Sequence, residues 1–219
     1  MKSSISRRIM HFLYPTRCPV CGELIGYDER FCTGCADKLT PYSGDFRIEA
    51  AESFSAAFEY DDNITPAVML LKRGVCGNAD FALGGALADV LKENGIAERT
   101  DVIVPVPMYR SDERKRGYNQ AELIAKVISR RLGIELFRDA AVKLRPTAEQ
   151  KTLDRMGREI NLRNAFAVAL PEAITTKRIL IVDDVCTTGA TMAELTSILL
   201  ANGAAAVHCA SCCKTPLKK

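Results

Sequence analysis

The chain has 219 residues, of which 47% are hydrophobic and 26% are charged. This balance is typical of a globular protein and excludes disordered, collagen-like and coiled-coil chains. The formal net charge is only +3, so the composition as a whole does not demand a nucleic-acid or membrane partner. The segment 110–163 differs from the rest, because it holds 14 basic and 8 acidic residues, and we expect it to face an anion.

The N-terminal residues combine basic side chains with a short apolar patch from Ile9 to Tyr14. The patch is too short for a signal peptide, contains His11 and ends at Pro15, so it predicts a short amphipathic helix. No run of about 18 apolar residues occurs, and we expect no membrane insertion. Nine cysteines without a secretory signal indicate reduced thiols, metal ligands or buried side chains, and a cytoplasmic protein.

Two CxxC pairs lie close together near the N-terminus. Cys18 and Cys21 form the first pair, and Cys32 and Cys35 follow after ten intervening residues. This spacing predicts a four-sulfur site that binds zinc, with an iron–sulfur centre or a redox-active pair as alternatives. Four sulfur ligands leave no position for water, so the zinc is expected to be structural. We predict a zinc-binding module, with the N-terminal helix, over residues 1–45.

The other cysteines follow a different pattern. Cys209 and Cys212, with His208, suggest a second metal site, but they lie in the apolar run AAAVHCASCC. That run is typical of a buried strand, so the preferred interpretation is that these thiols act as small buried side chains.

Residues 46–219 alternate apolar runs with helical patterns. We predict strands at 54–61, 101–107, 160–168, 178–185 and 204–210, and helices at 64–72, 80–94, 117–132 and 190–201. Continuous β-branched runs followed by helices indicate an α/β domain with a parallel sheet covered on both faces. In such a domain, ligands bind at the carboxyl ends of the strands.

The strand predicted at 178–185 ends in chemically active residues. Asp183 and Asp184 follow four apolar residues, and a loop rich in hydroxyl groups leads from there into the next helix. That loop supplies hydroxyl groups and small residues suited to a phosphate group, namely Thr187, Thr188, Gly189, Ala190 and Thr191. The acids suit ribose hydroxyls or Mg²⁺. The alternative is an acidic metal site before a capped helix, as in receiver domains.

The acid pair and its loop resemble the phosphoribosyl pyrophosphate (PRPP) signature of type I phosphoribosyltransferases. Four segments, together with the four cysteines, extend the resemblance to the ComF family of competence-associated proteins: LLKRG, VPVPMYRSDERKRGYNQAELIA, LRPTAEQKTLDRMGREINLRNAF and VDDVCTTGATM. The resemblance implies a type I phosphoribosyltransferase-like parallel sheet flanked by helices, with a small N-terminal zinc module built on four cysteines. Tyr118 departs from the pattern, since phenylalanine is commoner at that position.

The resemblance also assigns roles to basic residues. It implies that Lys72, Arg110, Arg114 and Arg116 meet pyrophosphate, although each could instead be a solvated surface charge. It further implies a flap over residues 147–163, with Gln150, Arg158 and Asn161 as candidates and Arg158 acting in catalysis beside Asp183 and Asp184. A helical hairpin is the alternative for this segment.

The resemblance also implies a ligand and a cellular role. The implied ligand is PRPP or a related phosphoribosyl compound, bound with Mg²⁺. The implied role is cytoplasmic handling of incoming DNA in natural transformation, with single-stranded DNA and other competence proteins as partners. The aromatic content of 6%, without tryptophan, gives no extensive base-stacking surface. Two alternatives remain, an active phosphoribosyltransferase with an unidentified acceptor and a scaffold whose pocket has lost its function.

Overall fold

The computed structural model describes residues 8–9, 11–73, 78–146 and 165–216. Residues 8–9 and 11–13 are helical, as predicted for the N-terminal patch. Within the described ranges, every helix is too short or too polar to qualify as a membrane span.

The secondary structure follows the predicted α/β alternation. The strands are β1 (Ser53–Glu59), β2 (Val102–Pro105), β3 (Glu135–Leu136), β4 (Ala141–Lys143), β5 (Phe166–Val168), β6 (Arg178–Cys186) and β7 (Ala206–Lys214). The α-helices are α1 (Thr33–Ala36), α2 (Thr65–Lys72), α3 (Ala79–Glu93), α4 (Arg110–Arg116), α5 (Gln120–Leu132), α6 (Pro171–Ile174) and α7 (Ala190–Ala201). A 3₁₀ turn covers Ala97–Arg99.

The prediction of one helix over 117–132 is wrong at its start. Gly117 has a φ of +88° and ends the short helix α4, which the sequence pattern does not predict. Helix α5 begins three residues later, where Asn119 caps it by accepting a hydrogen bond from the Ala121 N–H. The sequence RSDERKR of α4 has no apolar face, so hydrophobic periodicity could not reveal this helix.

The main sheet has five strands in the order β1-β7-β6-β2-β3, and all its neighbouring strands are parallel. Its register places Pro105, the last residue of β2, beside Val182, and Cys186 beside Lys214, so β6 and β7 extend together beyond the end of β2 at the carboxyl edge of the sheet. Strands β4 and β5 form a separate antiparallel pair. These two strands flank the segment that falls outside the described residues.

Alternating residues of β6 build a core on each face of the sheet. Leu180 and Val182 pack with α2, α3 and α5, whereas Ile179 and Ile181 pack with α7. A strand buried on both faces must be apolar throughout, which explains the continuous run at its start. Since α7 follows β6 directly and α5 follows β2 through α4, both helices begin at the carboxyl edge of the sheet.

The N-terminal module packs against the main domain. Arg30 forms an ion pair with Asp89 of α3 at 2.6 Å, and the Asn78 side chain donates to the Glu29 carbonyl at 3.1 Å. The Phe31 ring meets the Phe58 ring edge-on. The boundary between residues 45 and 46 stays a prediction.

Candidate functional site

The four N-terminal cysteines converge on one point. The Sγ atoms of Cys18, Cys21, Cys32 and Cys35 all lie within 4.8 Å of one another, and the Cys21 and Cys32 sulfurs are 3.6 Å apart. Sulfurs at about 2.3 Å from a tetrahedral zinc lie about 3.8 Å apart, so the arrangement fits zinc. Burial opposes ionisation of Cys18, but N–H groups of Cys32, Cys21 and Val20 outweigh it and lower its pKa to about 7. The convergence of the four sulfurs supports a structural zinc site.

The later cysteines do not converge in this way. Cys209 packs in the core on one face of the sheet and Cys212 in the core on the other, because an offset of three positions along a strand places two side chains on opposite faces. His208 is buried, and its Nδ1 lies 2.8 Å from the Ser53 hydroxyl. Within the described ranges, the N-terminal cluster is the one group of three or more potential metal ligands. The burial interpretation of Cys209 and Cys212 therefore fits the structure.

A cleft of about 270 Å³ opens where β2 and β6 end. It brings together most of the residues that the sequence analysis singled out. These are Lys72, Arg116, Asp183, Asp184, Thr187, Gly189, Ala190 and Thr191. Its lining also includes Asn119, Gln120 and Lys143, which the sequence analysis did not identify.

The acid pair lines this cleft. Asp183 accepts a hydrogen bond from the Asp184 N–H, and Asp184 accepts one from the Val185 N–H, each at 2.8 Å. Burial and the charge of Asp184 raise the pKa of Asp183 well above its ordinary value. Lys72 pairs with Asp184 at 3.2 Å, and although burial opposes its charge, the two carboxylates raise the pKa of Lys72. The pair is thus poised to accept further positive charge.

The loop after β6 turns sharply into α7. Gly189 has a φ of +79°, and a Cβ at this position would lie 3.0 Å from the Phe46 ring. Only glycine combines this backbone conformation with so close a neighbour. The Thr188 hydroxyl accepts from the Ala190 N–H at 3.5 Å, and Thr188 does not line the cleft. The remaining N–H groups at the start of α7 suit an anion.

Helices α4 and α5 form the opposite wall. Arg116 reaches the cleft, whereas Arg110 and Arg114 line a separate shallow cavity on the outer side of α4. The Tyr118 hydroxyl donates to the Leu71 carbonyl at 2.7 Å and so fixes the end of α2, next to Lys72. A phenylalanine at this position would lack that hydrogen bond.

Two polar residues at the start of α5 behave differently. Both polar atoms of the Asn119 side chain are used, since Nδ2 donates to the Val106 carbonyl and Oδ1 caps α5. Gln120 is 4% exposed, and its Nε2 has no hydrogen-bond partner among the described residues. Gln120 lines the cleft, but its Nε2 is shielded from solvent, so a ligand oxygen reaches this donor when the side chain turns toward the cleft. Sequence pattern offers no signal for such a residue.

Lys143 lines the cleft from the end of β4. Burial lowers the pKa of its amine, and the charges of Asp112 and Asp183 oppose that shift. The predicted flap candidates Gln150, Arg158 and Asn161 lie outside the described residues.

Sequence comparisons agree with both parts of the structure. A phosphoribosyl transferase domain model matches residues 118–219, and a double zinc ribbon domain model matches residues 9–56. DNA utilization protein YhgH of Escherichia coli strain K12 is 34% identical over 206 residues, covering 91% of this chain and 85% of that protein. Competence protein F of Haemophilus influenzae is 28% identical over 205 residues, covering 90% and 82%.

Among solved structures, a purine phosphoribosyltransferase from Pyrococcus horikoshii Ot3 matches with a TM-score of 0.37 and 22% identity, over 60% of this chain and 70% of that one. A glutamine PRPP amidotransferase from B. subtilis matches with a TM-score of 0.40 and 21% identity, over 68% and 27%. The assignment rests on the sequence matches. The chain belongs to the ComF family, to which DNA utilization protein YhgH and competence protein F are related, and it joins a phosphoribosyltransferase domain to an N-terminal double zinc ribbon.

Proposed function

We propose that the cleft binds PRPP or a related 5′-phosphoribosyl ligand together with Mg²⁺. The observation that carries the proposal is the juxtaposition of an acid pair and a helix N-terminus in one cleft, at the carboxyl ends of adjacent parallel strands. N–H groups at the start of α7 suit a terminal phosphate, and carboxylates next to them suit ribose hydroxyls or a divalent cation.

The proposal places each part of the ligand. The 5-phosphate lies on the loop from Thr187 to Thr191, and the ribose lies over Asp183 and Asp184. The diphosphate then faces the opposite wall, where Arg116 and the Gln120 amide supply donors. Arg158 is proposed to act from the segment outside the described residues.

The carboxylates that line the cleft are suitable ligands for a magnesium ion. Asp183 and Asp184 would hold it with ligand oxygens, because Mg²⁺ prefers carboxylate and phosphate oxygens. Without a cation, burial disfavours ionisation of Asp183, as the raised pKa shows. When bound, the ion would neutralise charge on the diphosphate. The chain's own share is to keep the two carboxylates adjacent on β6.

Isothermal titration of the zinc-loaded protein with PRPP and Mg²⁺ tests the proposal. We expect micromolar binding by the natural chain and none by the Asp183→Asn/Asp184→Asn variant. Asp139→Asn/Glu172→Gln is the matched control, because it removes two exposed acids that do not line the cleft. Absence of binding by the folded natural protein would overturn the proposal.

We further propose that the protein handles incoming single-stranded DNA in the cytoplasm during natural transformation, with other competence proteins as partners. The names of the relatives and the exposed basic helix α4 support this role. Arg110 and Arg114 point away from the cleft, so they can be tested without disturbing the ligand site.

Fluorescence anisotropy with labelled single-stranded DNA separates the two roles. We expect the logarithm of the affinity to fall steeply with the logarithm of the salt concentration. The slope should be shallower in Arg110→Ala/Arg114→Ala, since each lost phosphate contact lowers its magnitude by about 0.7. Arg130→Ala/Lys177→Ala removes two exposed charges elsewhere and should leave the slope unchanged. Equal slopes in all three proteins would argue against α4 as the contact.

A phosphoribosyltransferase activity is the second candidate, favoured by the acid pair and Arg116 in one cleft. In that reaction a nucleophile bonds to C1 of PRPP as the C1–O bond breaks, and the bonding electron pair leaves with pyrophosphate. Arginine and helix N–H groups stabilise the departing charge. Pyrophosphate release with a panel of amine and nucleobase acceptors tests this candidate. Release that is lost in Asp183→Asn/Asp184→Asn would support it.

A further inference from the structure

A buried lysine lies directly beneath the proposed phosphate loop. Lys214 is the last residue of β7, is 2% exposed and pairs in register with Cys186, the last residue of β6. Lysine is rarely buried to this extent unless an opposite charge accompanies it. Its surroundings therefore call for an explanation.

The ammonium group of Lys214 makes three contacts, all with uncharged groups. Its Nζ donates to the Thr187 carbonyl at 2.8 Å and to the Thr215 carbonyl at 2.5 Å. It also lies 4.2 Å from the centre of the Phe46 ring, the same ring that packs against Gly189. Two of the three N–H donors of the ammonium group are thus hydrogen-bonded, and none of the three contacts cancels its charge.

No carboxylate of the described residues forms a salt bridge with Lys214 within 4.0 Å. The thiol of Cys186 is the neighbouring titratable group, and burial raises its pKa to about 12, so it is neutral near pH 7. A buried charge without a counter-ion is unfavourable. An anion in the cleft, on the other side of the loop, would supply the missing charge.

The hydrogen bond to Thr187 also fixes the direction of a peptide group. The peptide unit is planar and trans, so its C=O and N–H bonds point in opposite directions. Because the Thr187 carbonyl points inward to Lys214, the Thr188 N–H of the same peptide points outward, away from Lys214. Lys214 thereby fixes the orientation of this peptide group, whose neighbours Thr187 and Gly189 line the cleft although the Thr188 side chain does not.

We propose that Lys214 is a positioning residue of the phosphate site, which holds the 187–188 peptide with its N–H outward and places behind the loop a positive charge that the bound phosphate neutralises. This inference rests on the proposed binding of a 5′-phosphoribosyl ligand. It adds to the site a residue from the last described strand, which is distant in sequence from the loop but adjacent to it in space.

Isothermal titration with ribose 5-phosphate tests the inference in the full chain. We expect Lys214→Met to weaken binding about tenfold or more, because the variant loses the charge-assisted hydrogen bond from the ammonium group to the Thr187 carbonyl. Lys214→Arg should restore part of the affinity. Lys177→Met is the matched control, since this exposed lysine precedes β6 at the opposite end of the strand and its loss changes the net charge equally. Thermal unfolding of each variant establishes that it is folded.

Unchanged affinity in folded Lys214→Met, or equal losses in Lys214→Met and Lys214→Arg, would overturn the inference. Failure of the natural protein to bind either ribose 5-phosphate or PRPP would instead overturn the proposed function. If the variants do not fold, the natural chain provides the test: nuclear magnetic resonance titration of the Lys214 side chain should give a higher pKa with ribose 5-phosphate than without it. Equal values would refute the role.

Discussion

Individual side chains in the cleft are placed in a way that suits a ligand and lowers the stability of the ligand-free protein. The Gln120 Nε2 is buried without an acceptor among the described residues. Such a group costs about 1–3 kcal/mol of stability. Asp183 likewise carries a carboxyl group whose ionisation burial disfavours. The proposed ligand and cation would remove both penalties by providing partners.

Gln120→Met should therefore change stability and binding in opposite directions. Methionine keeps the size of the side chain and removes the unsatisfied donor, so we expect an unchanged or higher melting temperature. PRPP affinity should fall about tenfold, the value of one hydrogen bond to a charged group. Calorimetric unfolding and titration of the same sample measure both effects. A fall in stability with unchanged affinity would show that Gln120 is purely structural.

Gly189→Ala should destabilise the loop. A residue with a Cβ is strained at a φ of +79°, and the new atom would also approach the Phe46 ring, so we expect a loss of about 1–3 kcal/mol. Gly95→Ala is the control, because Gly95 has a φ of +65° but no atom within 4 Å of the place where a Cβ would lie. Denaturant unfolding of both variants isolates the ring contact. Equal losses of stability in the two variants would mean that the Phe46 ring moves aside for the new Cβ.

At the level of elements, the sequence predicted most of the fold and part of the site. The run RILIV and the acids after it identified β6, because a strand buried on both faces must be apolar and its polar end must emerge. Helix α4 escaped prediction because its residues are nearly all polar. Gln120 and Lys214 were missed for another reason: their roles depend on contacts between distant segments, which local patterns do not encode.

The starts of β2 and β6 are joined by an ion pair at the opposite edge from the cleft. Arg178 donates to Asp101 through its backbone N–H and its guanidinium group, and these hydrogen bonds hold the pKa of Asp101 to about 2, below its ordinary value of 3.8. Because the folded-state pKa is the lower one, the pair contributes its full stability above pH 3.8 and loses it as the pH falls towards 2.

Asp101→Asn should flatten this acid-dependent loss of stability. Since the pair is partly exposed, the change at neutral pH should be small. Melting temperatures measured from about pH 6 down to about pH 2 test the prediction, with Asp139→Asn as a control at an exposed acid. If the natural protein and Asp101→Asn lose stability in parallel, other carboxylates dominate the acid response.

At the level of the whole molecule, two structural principles operate side by side. The main domain is stabilised by apolar packing on both faces of its sheet. The N-terminal module has few buried side chains of its own, and a small unit of this kind depends on its metal for stability. The Arg30–Asp89 ion pair and the Phe31–Phe58 ring contact join the two.

Zinc removal should unfold the module and leave the main domain folded. We expect one zinc per chain in the natural protein and none in Cys35→Ser, because the thiolates are needed together. Cys186→Ala should keep its zinc, since Cys186 lies in the main domain. Metal analysis and circular dichroism after chelation give the readout. Collapse of the whole α/β signal on chelation would show that the module is integral to the main domain.

Strand order has a consequence for synthesis on the ribosome. Strand β7, the last described strand, lies between β1 and β6 in the sheet. A nascent chain can therefore form the zinc module early, but β1 has no partner in the sheet until residue 214 has emerged. Translation proceeds at about 5–20 residues per second, so β1 has no partner strand for about 8–30 s while the chain from Glu59 to Lys214 is made. The cleft is consequently among the last parts of the protein to form, and truncation before β7 should leave an aggregation-prone fragment.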